Sequence, residues 1–292
     1  MPLLLFVTLL WAFSFSLIGV YLAGQVDSYF SAMTRVLLAA AIFLPLLKWK
    51  GCAPRTAIYL IMIGAVQLGL MYLFYYQSFL LLSVPEVLLF TIFTPLYITA
   101  LDDLISRRLS IWNLSIAAIA VLGAATIRWG SPSSDFWLGF AVVQGANLCF
   151  AVGQVAYKRL MSSQQALYPR QTFAWFFIGA SLVTIIAWLL LGKPQYPQTM
   201  QQWGVLLWLG LAASGMGYFL WNKGATQVST GTLAAMNNAL IPVGLLVNLL
   251  IWNRDADLSR IALGGGLIGA AVILNEWRHK NRESHHGEYR ST

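Results

Sequence analysis

Apolar residues along this chain gather into ten blocks, at about 3–23, 29–47, 57–81, 84–101, 110–127, 134–157, 171–191, 203–222, 226–252 and 260–276, with polar residues in the short gaps between them. Each block is close to the roughly 20 apolar residues that carry a helix across a bilayer core. Backbone groups in hydrocarbon must satisfy one another, so blocks of this kind predict helices. The pattern therefore predicts an all-α integral membrane protein with ten transmembrane helices. Five spans per half make the second half enter the membrane from the opposite side, so the ten read as two inverted five-helix repeats around a central cavity. The turn-rich run from Arg128 to Asp135 marks the join. The expected organisation is a first repeat at 1–127, a linker at 128–133, a second repeat at 134–276 and a polar tail at 277–292.

Weak similarity between the halves agrees with this. A shift of 146 residues superposes Tyr72 on Tyr218, Tyr75 on Trp221, Tyr76 on Asn222 and Ser83 on Ser229, and one residue of slip brings Pro95 onto Pro242. Both prolines sit well inside apolar blocks. Proline removes a backbone donor and kinks or breaks a helix, and interrupted helices at matching places in two halves point to a central binding site. Pro95 and Pro242 are accordingly expected to break their helices.

Composition places the chain in the membrane as firmly as the pattern does. Of its 292 residues 59% are hydrophobic and only 10% charged, and the mean hydropathy is +0.70; soluble domains carry about 25% charged residues. The net charge of +8 is a topology signal. Thirteen Lys and Arg fall in the loops and tail on the side of the N-terminus and four on the other, with Arg35 inside a span. The positive-inside rule then puts both termini in the cytoplasm, in a multi-pass protein of the cell inner membrane. No basic stripe interleaved with aromatics exists, so nucleic acid is not an expected partner. The opening Met-Pro-Leu-Leu-Leu-Phe lacks a charged n-region and reads as the start of the first span. Two cysteines, Cys52 and Cys149, give no disulfide framework.

Several pieces in order resemble the drug/metabolite transporter superfamily, in its EamA-type ten-helix branch. They are Trp11-Ala12-Phe13-Ser14-Phe15, Arg35 within Ala-Met-Thr-Arg-Val-Leu-Leu-Ala, the block from Tyr72 to Ser83 running on to Pro95, Tyr157-Lys158-Arg159, Gly217-Tyr218 to Trp221, Ser229 to Pro242, and the glycine-rich last span. The resemblance reaches to about residue 276. Two places depart from it: the Gly-Glu pair that many members carry after the fourth and ninth spans reads Leu101-Asp102-Asp103 and Asn253-Arg254-Asp255, and Glu86 stands where a small or apolar residue is usual. The resemblance implies secondary transport of a small organic solute by alternating access, amino acids or related metabolites above all, and outward. The alternative is an uptake permease for a small metabolite or a vitamin-like solute.

Charges inside a membrane are costly and mark function. Arg35 lies about six residues into its span, ~9 Å deep at 1.5 Å per residue, and Glu86 lies a few residues into its own. Arg35 is expected to meet a substrate carboxylate, to pair with Glu86 or to anchor a helix interface; Glu86 is expected to titrate as a proton-coupling or gating site or to cap its helix. Polar and aromatic residues within spans complete the expected site: Trp11 and Ser14; Tyr72, Tyr76 and Gln77; Thr94; Asn147 and Gln154; Tyr218, Trp221 and Asn222. Asn237 and Asn238 face different ways on one helix, so only one of them lines the cavity, and Asn238 is assigned to the site. Gly265 with Gly269, and Ala120 with Ala124, have the spacing that lets helices approach closely, for internal packing or a weak homodimer; otherwise the protein is expected to be a monomer.

Enzyme chemistry is not expected. All three histidines lie in the tail, and no Gly-x-Ser-x-Gly or His-Glu-x-x-His occurs. Nor is a resident metal or cofactor expected. With no Gly-x-x-x-x-Gly-Lys-Ser/Thr for ATP, the drive must be an ion gradient, with protons the candidate coupling ion, or the solute's own concentration difference.

Overall fold

The computed structural model describes residues 1–107, 135–164 and 168–252 without a break, with scattered residues of 111–122 and 259–277. Among the described residues there is no strand, and eight helices are long and apolar enough to cross a membrane. They are α1 (Pro2–Tyr21), α2 (Ser28–Leu46), α3 (Pro54–Leu81), α4 (Val84–Ser106), α5 (Trp137–Ser163), α6 (Pro169–Leu191), α7 (Met200–Ala225) and α8 (Thr230–Trp252). These answer to the first four and to the sixth through ninth predicted spans. The fifth and tenth spans lie outside the continuously described residues, and Ala120, Ala124, Gly265, the linker 128–133 and the tail beyond 277 lie outside the described residues.

Helix starts follow local chemistry. Pro2, Pro54 and Pro169 sit in first turns, where the missing N–H costs nothing. Asp27 caps α2 by accepting from Phe30 N at 2.7 Å, and Thr199 with Gln202 forms a capping box on α7. One boundary differs from expectation. Lys158 and Arg159, expected in a loop, are inside α5. Their charges are met by protein, so the helix need not stop for water: Lys158 Nζ donates to Val228 O, and Arg159 pairs with Asp102 at the end of α4 at 2.6 Å. The second Asp102 oxygen accepts from Thr230 Oγ1 at 2.8 Å, and Arg159 also donates to Ser106 Oγ. Gly19 of α1 abuts Val84, so α4 begins where α1 ends. The Asp102–Arg159–Thr230 cluster therefore ties α4, α5 and α8 on the face that holds the start of α1.

The packing has two-fold character. α1 lies on α7 as α5 lies on α3; α1 lies on α8 as α5 lies on α4; α2 lies on α7 as α6 lies on α3; and α2 and α6 lie on each other. Exchanging α1–α4 for α5–α8 maps this set of contacts onto itself, as an inverted repeat requires. The third helix of each half also carries a π-helical stretch at the corresponding place, Ala65–Leu70 in α3 and Leu209–Met216 in α7. π-turns are rare and often sit at functional sites. Outward faces show large apolar residues such as Phe6, Leu9, Met62, Leu190 and Leu250, a surface suited to lipid.

The crossing of α3 and α6 leaves no room for side chains. A Cβ on Gly64 would sit 1.8 Å from Phe176 O, and one on Gly179 would sit 1.9 Å from Ile61 O. Only glycine allows backbone to approach backbone so closely. Gly179→Leu is therefore expected to destabilise the protein by ~1–3 kcal/mol, read as a lower melting temperature in detergent. Gly204→Ala, with nothing within 4 Å of the new methyl, should melt at or slightly above the native temperature. Equal melting of native protein and Gly179→Leu would refute the tight crossing.

Candidate functional site

Arg35 is the charge that the bundle must answer. It is 2% exposed, on the second turn of α2. Its Nη2 donates to Tyr72 Oη at 2.6 Å and its Nη1 to Tyr76 Oη at 3.1 Å, both on α3. Its Nε donates to Ser214 Oγ at 3.0 Å, in the π-helical stretch of α7. Ser214 Oγ also lies 2.7 Å from Tyr72 Oη and donates to Leu209 O at 2.8 Å. The guanidinium carbon stands 4.4 Å from the centre of the Tyr72 ring and 5.6 Å from that of Tyr76, within cation–π range. These partners are all neutral, and among the described residues no carboxylate pairs with Arg35; the ion pair there is Arg159 with Asp102. A guanidinium carries five N–H donors and three are engaged, so donor capacity and a full positive charge remain.

The second element is the break in α4. Pro95 cannot donate to a carbonyl one turn back, and α4 tightens into a 3₁₀ turn at Thr91–Phe93 before Thr94 restarts it. The freed carbonyls are met by amides from other helices. Phe90 O accepts from Asn147 Nδ2 at 2.7 Å and from Gln144 Nε2 at 3.2 Å, both on α5. Ile92 O accepts from Asn238 Nδ2 of α8 at 3.1 Å. The second proline behaves differently. Pro242 lies inside a continuous α8, so the expected break there is corrected: the helix runs on without one backbone bond.

Between these two elements runs an aromatic wall. Trp11 of α1 meets Tyr218 at 5.1 Å, Trp221 at 5.0 Å and Phe150 at 5.8 Å between ring centres, and Tyr218 meets Tyr72 at 5.9 Å. Polar tips hold the rings in place. Trp11 Nε1 donates to Ala213 O at 2.8 Å, and Trp221 Nε1 donates to Gln154 Oε1 at 2.9 Å. Gln154 in turn exchanges 3.3 Å contacts with the amide of Asn237.

A central cavity opens among these groups. Of the fourteen side chains expected there, eight line it: Trp11, Ser14, Arg35 and Tyr72 on α1–α3, and Thr94, Asn147, Tyr218 and Trp221 on α4, α5 and α7. Six stand behind or away from the walls. Tyr76 holds Arg35 and Gln154 holds Trp221. Asn222 accepts from Gln67 at 3.1 Å. Gln77 donates to Ser28 Oγ at 2.8 Å. Asn238 serves the α4 break while its neighbour Asn237 lines the cavity, so the assignment of Asn238 to the wall is corrected. Glu86 does not meet Arg35. Its Oε2 accepts from Ser83 N at 2.8 Å and Ser83 Oγ at 2.7 Å, the work of a carboxylate at a helix start.

Sequence reading passed over Tyr75, Phe150 and Thr91 in the walls, and Ser214 and Gln67 behind them. Gln67 carries the same signal that singled out Gln77, an amide in an apolar block. Tyr75 matches Trp221 under the 146-residue shift. Ser214, in a run of alanine and glycine, has no such signal; the π-turn aims it.

Residues 1–129 and 137–276 each match the EamA-like transporter family. A protein of Pseudomonas aeruginosa named as a probable biotin transporter is 56% identical over 274 residues, covering 93% of this chain and 96% of that relative. The biotin transporter of Escherichia coli K12 is 49% identical over 283 residues, 96% of this chain and 93% of its own, and that of Salmonella typhimurium is 48% identical over the same length. One crystal structure superposes with a TM-score of 0.73 over 94% of this chain and 96% of its own at 16% identity, a likeness of fold alone.

Gln154 supplies a test of the wall. Gln154→Leu strips the acceptor from the Trp221 N–H in a buried place, which costs ~1–3 kcal/mol and should lower the melting temperature in detergent. Adding Trp221→Phe removes the orphaned donor, so the double variant should lose less than the sum of the single losses. Strict additivity would mean the contact is incidental.

Proposed function

This chain belongs to the EamA-like transporter family and is a multi-pass membrane carrier of a small solute; from that premise we propose that the solute is biotin and that it is carried inward across the cell inner membrane. The observation that carries this reading is Arg35, a buried cation on the cavity wall whose described partners are all neutral. A single carboxylate completes it, since a charge-assisted bond to guanidinium is strong and directional. Biotin carries one carboxylate on an aliphatic chain, and its rings and thioether suit the apolar wall of Trp11, Phe150 and Tyr218. The relatives named above support the same solute. This vitamin-like uptake takes the place of the amino-acid export implied by resemblance alone: an amino acid brings an ammonium that would want an acidic partner, and no acidic residue is among those lining the cavity.

In this reading the two halves rock about the cavity, with both termini on the cytoplasmic side. An anion drawn into a negative interior works against the membrane potential, at about 2.3 kcal/mol per charge per 100 mV, so accumulation needs a co-transported cation. The proton is our choice, on its way through the same cavity.

Proteoliposomes test this directly. Native protein should take up labelled biotin, faster with a proton gradient directed inward, and biotin methyl ester should not compete. Arg35→Gln should weaken uptake by roughly 30-fold or more, the scale for deleting one partner of a buried charge pair. Native uptake by Arg35→Gln would end the carboxylate reading; indifference to the gradient would end proton coupling.

A further inference from the structure

Besides Arg35 the cavity wall carries a further pair of polar groups with unmet hydrogen-bonding capacity. Asn147 and Ser14 are each 4% exposed and both line the cavity. Ser14 Oγ has no hydrogen-bond partner, unusual for a buried hydroxyl. Asn147 is fixed in orientation. Phe90 O is an acceptor and therefore demands the amide nitrogen, which it receives at 2.7 Å; the same nitrogen reaches Gln144 Oε1 at 3.1 Å. The amide oxygen is thereby turned away from these contacts as an acceptor in want of a donor.

The two groups are also level with each other. Trp11 and Phe150 meet across the cavity with ring centres 5.8 Å apart. Ser14 lies three residues after Trp11 and Asn147 three before Phe150. α1 and α5 run in opposite directions, so both steps climb one turn the same way, on the same faces.

We propose that Asn147 and Ser14 form a subsite for a cyclic urea or amide, in which a ligand N–H donates to Asn147 Oδ1 and the adjoining ligand carbonyl accepts from Ser14 Oγ. The proposal rests on the biotin reading, with the carboxylate at Arg35 and the urea ring at Asn147 and Ser14. It assigns selectivity to the break in α4: the carbonyl freed near Pro95 orients the amide that reads the ring.

The experiment measures binding to purified protein of two acids. One is biotin; the other is the tetrahydrothiophene-pentanoate that keeps the acid chain and the thioether but lacks the urea. Native protein should prefer biotin. Ser14→Ala removes a hydroxyl that holds nothing in the protein, and should weaken biotin roughly 10-fold or more while leaving the urea-free acid within about twofold. Asn147→Leu should act the same way, and Arg35→Gln should weaken both acids. Equal loss of both acids in Ser14→Ala and Asn147→Leu would make these positions structural and overturn the subsite, as would unchanged biotin binding or a native protein that does not distinguish the acids. Native protein that binds neither acid would instead bring down the biotin reading and the subsite with it.

Discussion

A guanidinium held inside a hydrocarbon slab has to be answered by the protein itself, and most of this architecture can be traced to that demand. Arg35 is answered by protein groups: α3 brings two phenols to it and α7 brings a hydroxyl. Three helices from both halves are thereby drawn to one point. The hydroxyl on α7 is aimed by a π-turn, which shows what local regularity is given up to reach the charge. The same rule governs α4, where carbonyls freed near Pro95 are met by amides from α5 and α8. Polar groups that no protein atom answers are then informative, and Ser14 is one of them.

Much of the fold can be read from the chain because the bilayer allows so few alternatives. Length and apolarity alone delimit α1–α4 and α5–α8 to within a few residues. The ends are harder. α5 continues through Lys158 and Arg159 because Val228 and Asp102 meet them, and those partners are remote in sequence.

The cavity is about half legible, for a geometric reason. A polar residue in a span announces that something must satisfy it, without saying whether that is a neighbour or a solute. Tyr72 and Tyr76 share a face and both bond Arg35, yet only Tyr72 lines the cavity. Asn237 and Asn238 differ by about 100° around one helix, and nothing local says which points inward. Pro95 and Pro242 occupy matching places, but only the first interrupts its helix. Side-chain donors from two other helices stand ready at the α4 break; a break needs such donors before it can form in hydrocarbon. The repeat explains the scaffold, while the buried cation Arg35 on the cavity wall is present in one half only.

The ion pair of Asp102 and Arg159, with Thr230, belongs to one face of the bundle. On the opposite face the described carboxylates cap helix starts, Asp27 from Phe30 N and Glu86 from Ser83, and Gln77 with Ser28 and Gln202 with Gln25 join neutral groups. A partly exposed ion pair contributes about 0–1 kcal/mol, enough to tilt two otherwise matched conformations by up to roughly fivefold. In a carrier that alternates as proposed, such a tilt would set where it waits between cycles, and so on which side a scarce solute is caught at the lower concentration. It does not fix where the solute ends up, which remains the business of the gradients. Symmetry in the backbone with asymmetry in an ion pair would give such a reversible carrier a preferred waiting side.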